Sequence, residues 1–404
     1  MKHRGLLSSR SVRKVGATAL AAFAVATSVS AAEPITERNL RFLEYPGFPE
    51  AHSSWGSIGY SARHNKVFVG VTDHRERNAL YEYDVATKTL RLVGFVAEMA
   101  GLRGFQWQGK IHTYLVEGPD GAMYFGTDGG NSRQDLLLDH PHGYGGGFFF
   151  RWDPASERLT NLGMALRYES LKNIAVDGVS GRLYGVTYPQ AHLVIFDPTS
   201  NHLRDLGRLM AFHVPRTLFT DWWGNAYYVD WRQRLVKVEE DTGRLVFARE
   251  ALPAFPGTPG NFLTTGITAF ASDQANGVIY LTTYSSKVLA FRPQRRGIGS
   301  VSDLGGVYDG TKAHWDYWCR NLALGRNGKL YYFVGGHDRY TEQGDKVLMM
   351  EMDPATRTKR LLLTFPLDVL LDVPGRGVRD EEGNIYFAAR KRDPGARATG
   401  ESGS

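Results

Sequence analysis

Hydrophobic and polar residues alternate along this chain with a period of two. No long segment repeats its apolar positions every three to four residues, so strands are expected and long helices are not. Residues 193–207 (LVIFDPTSNHLRDLG) show the unit: an alternating apolar run, a turn rich in Pro, Asp and Asn, and a second alternating run. The same shape returns at 81–94, 149–163, 235–247 and 347–362. Pro, Asp, Asn and Gly stand where hairpin turns need fixed or left-handed backbone angles.

A longer period organises these hairpins. A polar or glycine turn followed by an aromatic-centred strand occurs at HNKVF (64–68), GAMY (121–124), GRLY (181–184), GNAY (224–227), GVIY (277–280), GKLY (328–331) and GNIY (383–386). Successive aromatic anchors lie 56, 60, 43, 53, 51 and 55 residues apart. Four short antiparallel strands per unit, repeated at such a period, predict a β-propeller. The expectation is therefore an all-β, seven-bladed β-propeller over residues 32–394. Only eighteen residues follow Tyr386, and the segment EPITERNLRFLE (33–44) resembles the repeat end DPASERLT (153–160). The N-terminal segment is therefore expected to close the last blade, which would remove a sheet edge. Residues 395–404 read as a flexible tail.

The first residues read differently. Lys2, Arg4, Arg10, Arg13 and Lys14 precede an alanine-rich apolar run, and both VSA (29–31) and SAA (30–32) fit a small-x-small cleavage pattern. This is the layout of a secretory signal peptide over 1–31, with a secreted or periplasmic location and no membrane span after cleavage. It changes the meaning of the charge. The chain carries a formal +6, and cleavage would remove five positive charges, leaving about +1. A nucleic-acid partner then loses its support. The hydrophobic fraction of 42% excludes disorder, and the single Cys319 excludes both a disulfide framework and a cysteine zinc site. A monomer is expected.

Aligning the repeats locates two rings of residues on one face of the propeller. Counting back 11 or 12 positions from each anchor gives Gly56, His112, Lys172, Arg216, Thr268, Arg320 and Gly375, with Arg376 beside the last. Counting forward four gives Thr72, Asp128, Tyr188, Trp231, Tyr284, Gly335 and Arg390, with His74 and His337 two residues beyond their ring positions. The first ring is rich in cations and imidazoles and has no Asp or Glu. Such a funnel repels itself unless an anion relieves it, and arginine holds carboxylates bidentately. Tyr188, Trp231 and Tyr284 offer flat faces for sugar rings. The glycine-rich insertion 128–147 brings His140, His142 and Tyr144 to the second unit, and His213 lies in the loop before Arg216. The histidines leave three readings open: a divalent metal site, acid–base or substrate contact, or loop structure.

His112, Lys172 and Tyr188 carry a resemblance. The chain resembles the propeller polysaccharide lyases, the ulvan lyases and more distantly the oligogalacturonate lyases, which combine His, Tyr and Arg around the axis. Where the ulvan lyases pair Tyr with Arg, this sequence has Tyr188 and Lys172. The resemblance implies β-elimination on a uronate-containing polysaccharide or oligosaccharide. His112, Tyr188, His142 and Arg216 would be catalytic. Lys172, His213, Trp231, Tyr284, Arg320, His337, Arg376 and Tyr144 would bind substrate, and Lys172, Arg216 or Arg320 would neutralise the uronate carboxylate. Two other classes stay open: a non-catalytic propeller that binds anionic glycans or a protein partner, and a small-lactone lyase or hydrolase. The lactonase branch uses acidic and asparagine metal ligands near the axis, which the first ring here lacks.

Overall fold

The computed structural model describes residues 35–390 apart from 50, 52, 74–76, 104–105, 130–142, 211–213, 216, 259–265, 338 and 345. The predicted signal peptide and tail lie outside the described residues. So do His74, His140, His142, His213 and Arg216.

The repeat motif folds for a reason that two units make plain. In DWWGNAY (221–227) the Asp221 carboxylate accepts from the backbone N–H of Trp223 at 2.9 Å and of Asn225 at 3.0 Å, and from the Tyr227 hydroxyl at 2.8 Å. In DEEGNIY (380–386) Asp380 accepts from the N–H of Gly383 and of Asn384, and from the Tyr386 hydroxyl, all at 2.8 Å. One carboxylate thus closes the turn and anchors the aromatic ring that opens the next strand. Gly224 takes a φ of +87°, and a Cβ there would stand 2.5 Å from the Asp177 carboxylate of the preceding unit. The Tyr184 hydroxyl donates to the Gly224 carbonyl at 2.9 Å, which ties neighbouring units at the same turn.

Six units form full antiparallel sheets, at 58–95, 110–164, 170–208, 219–251, 267–306 and 323–366. Five have four strands in meander order. The second has five, because its innermost strand is interrupted. Apolar cores lie between adjacent sheets. Phe219, Tyr227 and Leu235 of the fourth pack with Ile279, Leu281 and Phe291 of the fifth, and Ala269 and Val288 of the fifth pack with Tyr332 and Leu348 of the sixth.

The sheet arrangement is that of a six-bladed all-β propeller, which corrects the expected seven. Among the described residues the seventh anchor, Tyr386, lies in a ladder of two strands, Val378–Arg379 with Ile385–Tyr386, supplemented by a bridge from Asp372 to Arg390. Among its described residues the N-terminal segment supplies no strand to this ladder. It makes a 3-10 turn at Glu37–Asn39, and Pro46 and Pro49 lack the N–H that a ladder needs. It packs side chains instead: Ile35 and Leu40 lie against Phe333, Phe365 and Phe387, while Tyr45 and Phe48 join Val69, Tyr81 and Val378. First and last units meet at Gly56 and Gly375, where a Cβ on Gly375 would lie 2.3 Å from the Gly56 Cα. Only glycine permits that approach.

Candidate functional site

The inner strands are irregular at the positions that face the axis. In the third sheet Leu171 pairs with Thr187 and Asn173 with Val186, so Lys172 is the extra residue of a β-bulge. Thr268 is the extra residue of the same device in the fifth sheet, between Ile267 and Ala269. In the second sheet the inner strand breaks between Lys110–Ile111 and Val116–Glu117, and His112 sits in the break. A bulge re-aims a side chain and releases a backbone carbonyl from the ladder. Here the released carbonyl is used: His112 Nδ1 lies 2.9 Å from the Lys172 oxygen.

A carbonyl oxygen only accepts, so Nδ1 carries the proton and Nε2 holds the lone pair. His112 is 8% exposed. Its pKa is pushed well below the ordinary 6.5, first by burial and then by the charges of Lys172, Lys110 and Arg320. The ring is therefore a neutral imidazole at neutral pH, with Nε2 as its basic atom. Lys172 Nζ stands 4.8 Å from the centroid of the Tyr188 ring, which is 43% exposed, and 3.7 Å from Oδ2 of buried Asp128. The structure thus groups His112, Lys172, Tyr188 and Asp128 in one corner of the mouth.

Tyr144 flanks this corner. Its hydroxyl donates to Gln108 Oε1 at 3.3 Å and its ring meets Trp107 at 5.3 Å. Burial and the Asp128 charge push its pKa well above 10, so it stays a phenol.

Trp55, Trp318 and His337 form an aromatic wall. His337 lies between Trp55 and Trp318, with ring centroids 5.5 and 4.9 Å away. Arg390 stacks on Trp55 at 4.9 Å and Arg320 on Trp318 at 5.6 Å. Buried Asp372 binds Arg390 bidentately at 2.6 and 2.7 Å and lies 3.3 Å from His337 Nε2. Tyr284 is not an open platform. It is 4% exposed and packs edge-on against Trp318 at 6.0 Å. Trp231 is 47% exposed under the Arg232 guanidinium at 4.8 Å.

Tyr114 closes the axis below. It leaves the broken inner strand of the second sheet, and its hydroxyl donates to the Thr268 carbonyl of the fifth at 3.4 Å. Arg376 stacks on its ring at 4.9 Å. The repeat alignment singled out neither Tyr114 nor Lys110, Trp55 and Asp372, because all four fall off the counted ring positions. The break after Ile111, which no periodic pattern announces, is what delivers Tyr114.

Among the described residues, no group of three or more His, Cys, Asp or Glu side chains is placed to hold a metal ion. Surface hollows of about 450 and 550 Å³ lie around Lys329, Glu351 and Arg360 and around Leu235, Phe247 and Phe291, and neither is lined by His112, Lys172 or Tyr188.

No family model matches the sequence, and no curated protein matches it. Solved structures do match in shape. The WD40 repeats of RRP9 align with a TM-score of 0.58 at 10% identity, covering 90% of this chain and 94% of that one. U3-55K aligns at 0.57 and 10% identity, covering 90% and 95%. The periplasmic gluconolactonase of Pseudomonas aeruginosa aligns at 0.54 and 12% identity, covering 83% and 88%. At these identities the likeness concerns the fold: the chain is a β-propeller whose structural neighbours include a gluconolactonase and WD40 repeats.

Proposed function

We propose that this propeller is an exported lyase that cleaves a uronate-containing anionic saccharide by β-elimination at the axial mouth. The observation that carries the reading is the hydrogen bond between His112 Nδ1 and the Lys172 carbonyl, beside the Lys172 ammonium. It leaves Nε2 as a base in a cationic corner. In the reaction, Nε2 takes the proton from the carbon that bears the carboxylate. The electron pair forms a carbon–carbon double bond, the bond to the glycosidic oxygen breaks, and the Tyr188 hydroxyl supplies a proton to that oxygen. Lys172 stabilises the charge that builds on the carboxylate.

The depressed basicity of His112 fits this scheme. Lys172, Lys110 and Arg320 lower it in the empty site, and an arriving carboxylate offsets those charges. The base thus strengthens when substrate binds.

The test is the ultraviolet absorbance of an unsaturated uronate, followed while the protein is incubated with a panel of uronate polysaccharides. His112→Ala and Tyr188→Phe should abolish the signal. Full activity in both variants would overturn the assignment. Saccharide binding with no absorbance change from any polysaccharide would make the mouth a glycan-binding site without chemistry.

A further inference from the structure

Beside the His112 corner stand polar groups whose hydrogen-bond donors have no acceptor. Arg320 is 8% exposed, and its Nε is enclosed without a hydrogen-bond partner. Arg376 Nε is enclosed in the same way. Among the described residues no carboxylate, carbonyl or hydroxyl accepts from either guanidinium. Both lie instead against aromatic faces: Arg320 on Trp318 at 5.6 Å, Arg376 on Tyr114 and Phe270 at 4.9 Å each. The Tyr284 hydroxyl, buried beside Trp318, is also without a partner. Lys110, 6% exposed, stands over the Trp55 ring at 5.7 Å.

Buried donors are normally satisfied, and a buried charge is normally paired. Arg376 lies on Tyr114, Arg320 and Tyr284 share Trp318, and all three act electrostatically on the Tyr114 hydroxyl, so two guanidiniums and a phenol converge as a donor set without an acceptor. Structural arginines elsewhere in this chain look different: Arg234 binds Asp230 and Arg390 binds Asp372, each through two nitrogens. An aromatic face holds a guanidinium in position while leaving the N–H edge available.

We infer that Arg320, Arg376 and Tyr284 form an oxyanion-binding site on the axis, next to the His112 corner, for a carboxylate or sulfate group. The site does not depend on the lyase reading, since it requires only a ligand with a tetrahedral or planar oxyanion. If that reading also holds, the substrate carries a second anionic group besides the carboxylate that Lys172 meets.

The test uses the full chain and two probes, sodium sulfate and monomeric glucuronate, titrated at constant ionic strength against sodium chloride. Unfolding temperature and calorimetry are the readouts. Either probe should raise the unfolding temperature in a saturable manner. A response to sulfate alone would make the ligand group a sulfate ester, and one to glucuronate alone a carboxylate. Arg320→Gln and Arg376→Gln should each weaken binding by about tenfold or more, the loss expected for hydrogen bonds to a charged group. Arg376→Gln should also raise the unfolding temperature of the ligand-free protein, because it removes a half-buried guanidinium whose enclosed Nε has no acceptor. Tyr284→Phe, which changes one oxygen, keeps the inference falsifiable if an arginine variant fails to fold, and should weaken binding measurably. No response to either probe, or an unchanged response in Tyr284→Phe together with whichever arginine variant folds, would overturn the site. Neither probe reaction produces an unsaturated uronate, so failure here is distinct from failure of the lyase reading.

Discussion

His112 Nδ1 donates to the Lys172 carbonyl across 2.9 Å, between an interrupted strand and a bulged one. Neither half of that bond would exist in a regular ladder. The break frees the imidazole, and the bulge frees the carbonyl. Replacing His112 by Gln removes the basic nitrogen and should lower β-elimination by about 10²–10⁴-fold, the usual share of a positioned acid or base. Rates on the polysaccharide that wild type cleaves would check it.

The same residue sets a pH dependence of stability. Its folded pKa lies below the unfolded value of about 6.5, so the folded state binds fewer protons than the unfolded state in the window between the two. The stability contribution is complete above that unfolded value and is lost as pH falls toward the folded one. Wild type should therefore lose stability relative to His112→Gln on acidification from about pH 7.5 to 5. Denaturant midpoints of both proteins at the two pH values measure it, and a constant difference would contradict the expectation.

Lys172 is the largest charged contributor to that depression, after burial. Lys172→Met should raise the His112 pKa toward its ordinary value while leaving the backbone carbonyl in place. An NMR titration of the His112 ring reads this directly. In wild type, a bound uronate should move the pKa in the same upward direction, because it offsets the same charge.

The strands, the turns and the anchors were legible in the sequence, because one Asp–Gly–Tyr arrangement recurs and its chemistry is local. Asp221 and Asp380 make the same contacts 159 positions apart. The positions of His112 and Lys172 were legible too, by counting back from the anchors. The blade count was not. A repeated anchor announces an inner pair of strands, whereas a full blade needs outer strands, and Tyr386 has only the ladder with Val378–Arg379. Tyr284 shows the other limit: counting placed it at the mouth, but only packing reveals that Trp318 covers it. Tyr114 and Trp55 reach the axis through backbone irregularities that carry no periodic signature.

The recurrent turn gives a stability prediction. Gly224→Ala would force a Cβ into the Asp177 carboxylate at a φ of +87°, so both space and backbone oppose it. Tyr227→Phe only removes a buried hydroxyl that donates to Asp221 at 2.8 Å. The phenylalanine variant should cost about 1–3 kcal/mol and the alanine variant more. Urea unfolding of the two variants would establish the order.

Lys237 joins two blades through carbonyl oxygens. Fully buried, it donates to the carbonyls of Gln294, Arg295 and Gly297 at 2.9, 2.8 and 3.2 Å. The ammonium thus holds a loop of the fifth blade against a strand of the fourth. Lys237→Met keeps the apolar stem but strands three acceptors, so a loss of about 3 kcal/mol is expected. Hydrogen exchange should show faster opening around 294–297 than in the sixth blade. Uniform protection across both would count against a local role.

Arg390 and Asp372 lie where the chain closes on itself, and their pairing is testable as a unit. Asp372 is fully buried, receives two nitrogens of Arg390, and lies 3.3 Å from His337 Nε2. The two residues also exchange a backbone bond, with Arg390 N donating to the Asp372 carbonyl at 2.9 Å. Arg390→Met would leave the backbone bond but strip the carboxylate of its guanidinium, which for a buried pair costs about 3–5 kcal/mol. Converting both residues, Arg390→Met with Asp372→Leu, removes the stranded charge along with its partner. The double variant should therefore be more stable than Arg390→Met alone, even though it carries one more substitution. A double-mutant cycle by chemical denaturation measures the coupling, and additive losses would show that the pair acts as two independent side chains. Because Arg390 also covers Trp55 at 4.9 Å, the single variant should loosen the aromatic wall, read as a change in tryptophan fluorescence at temperatures where the fold is intact.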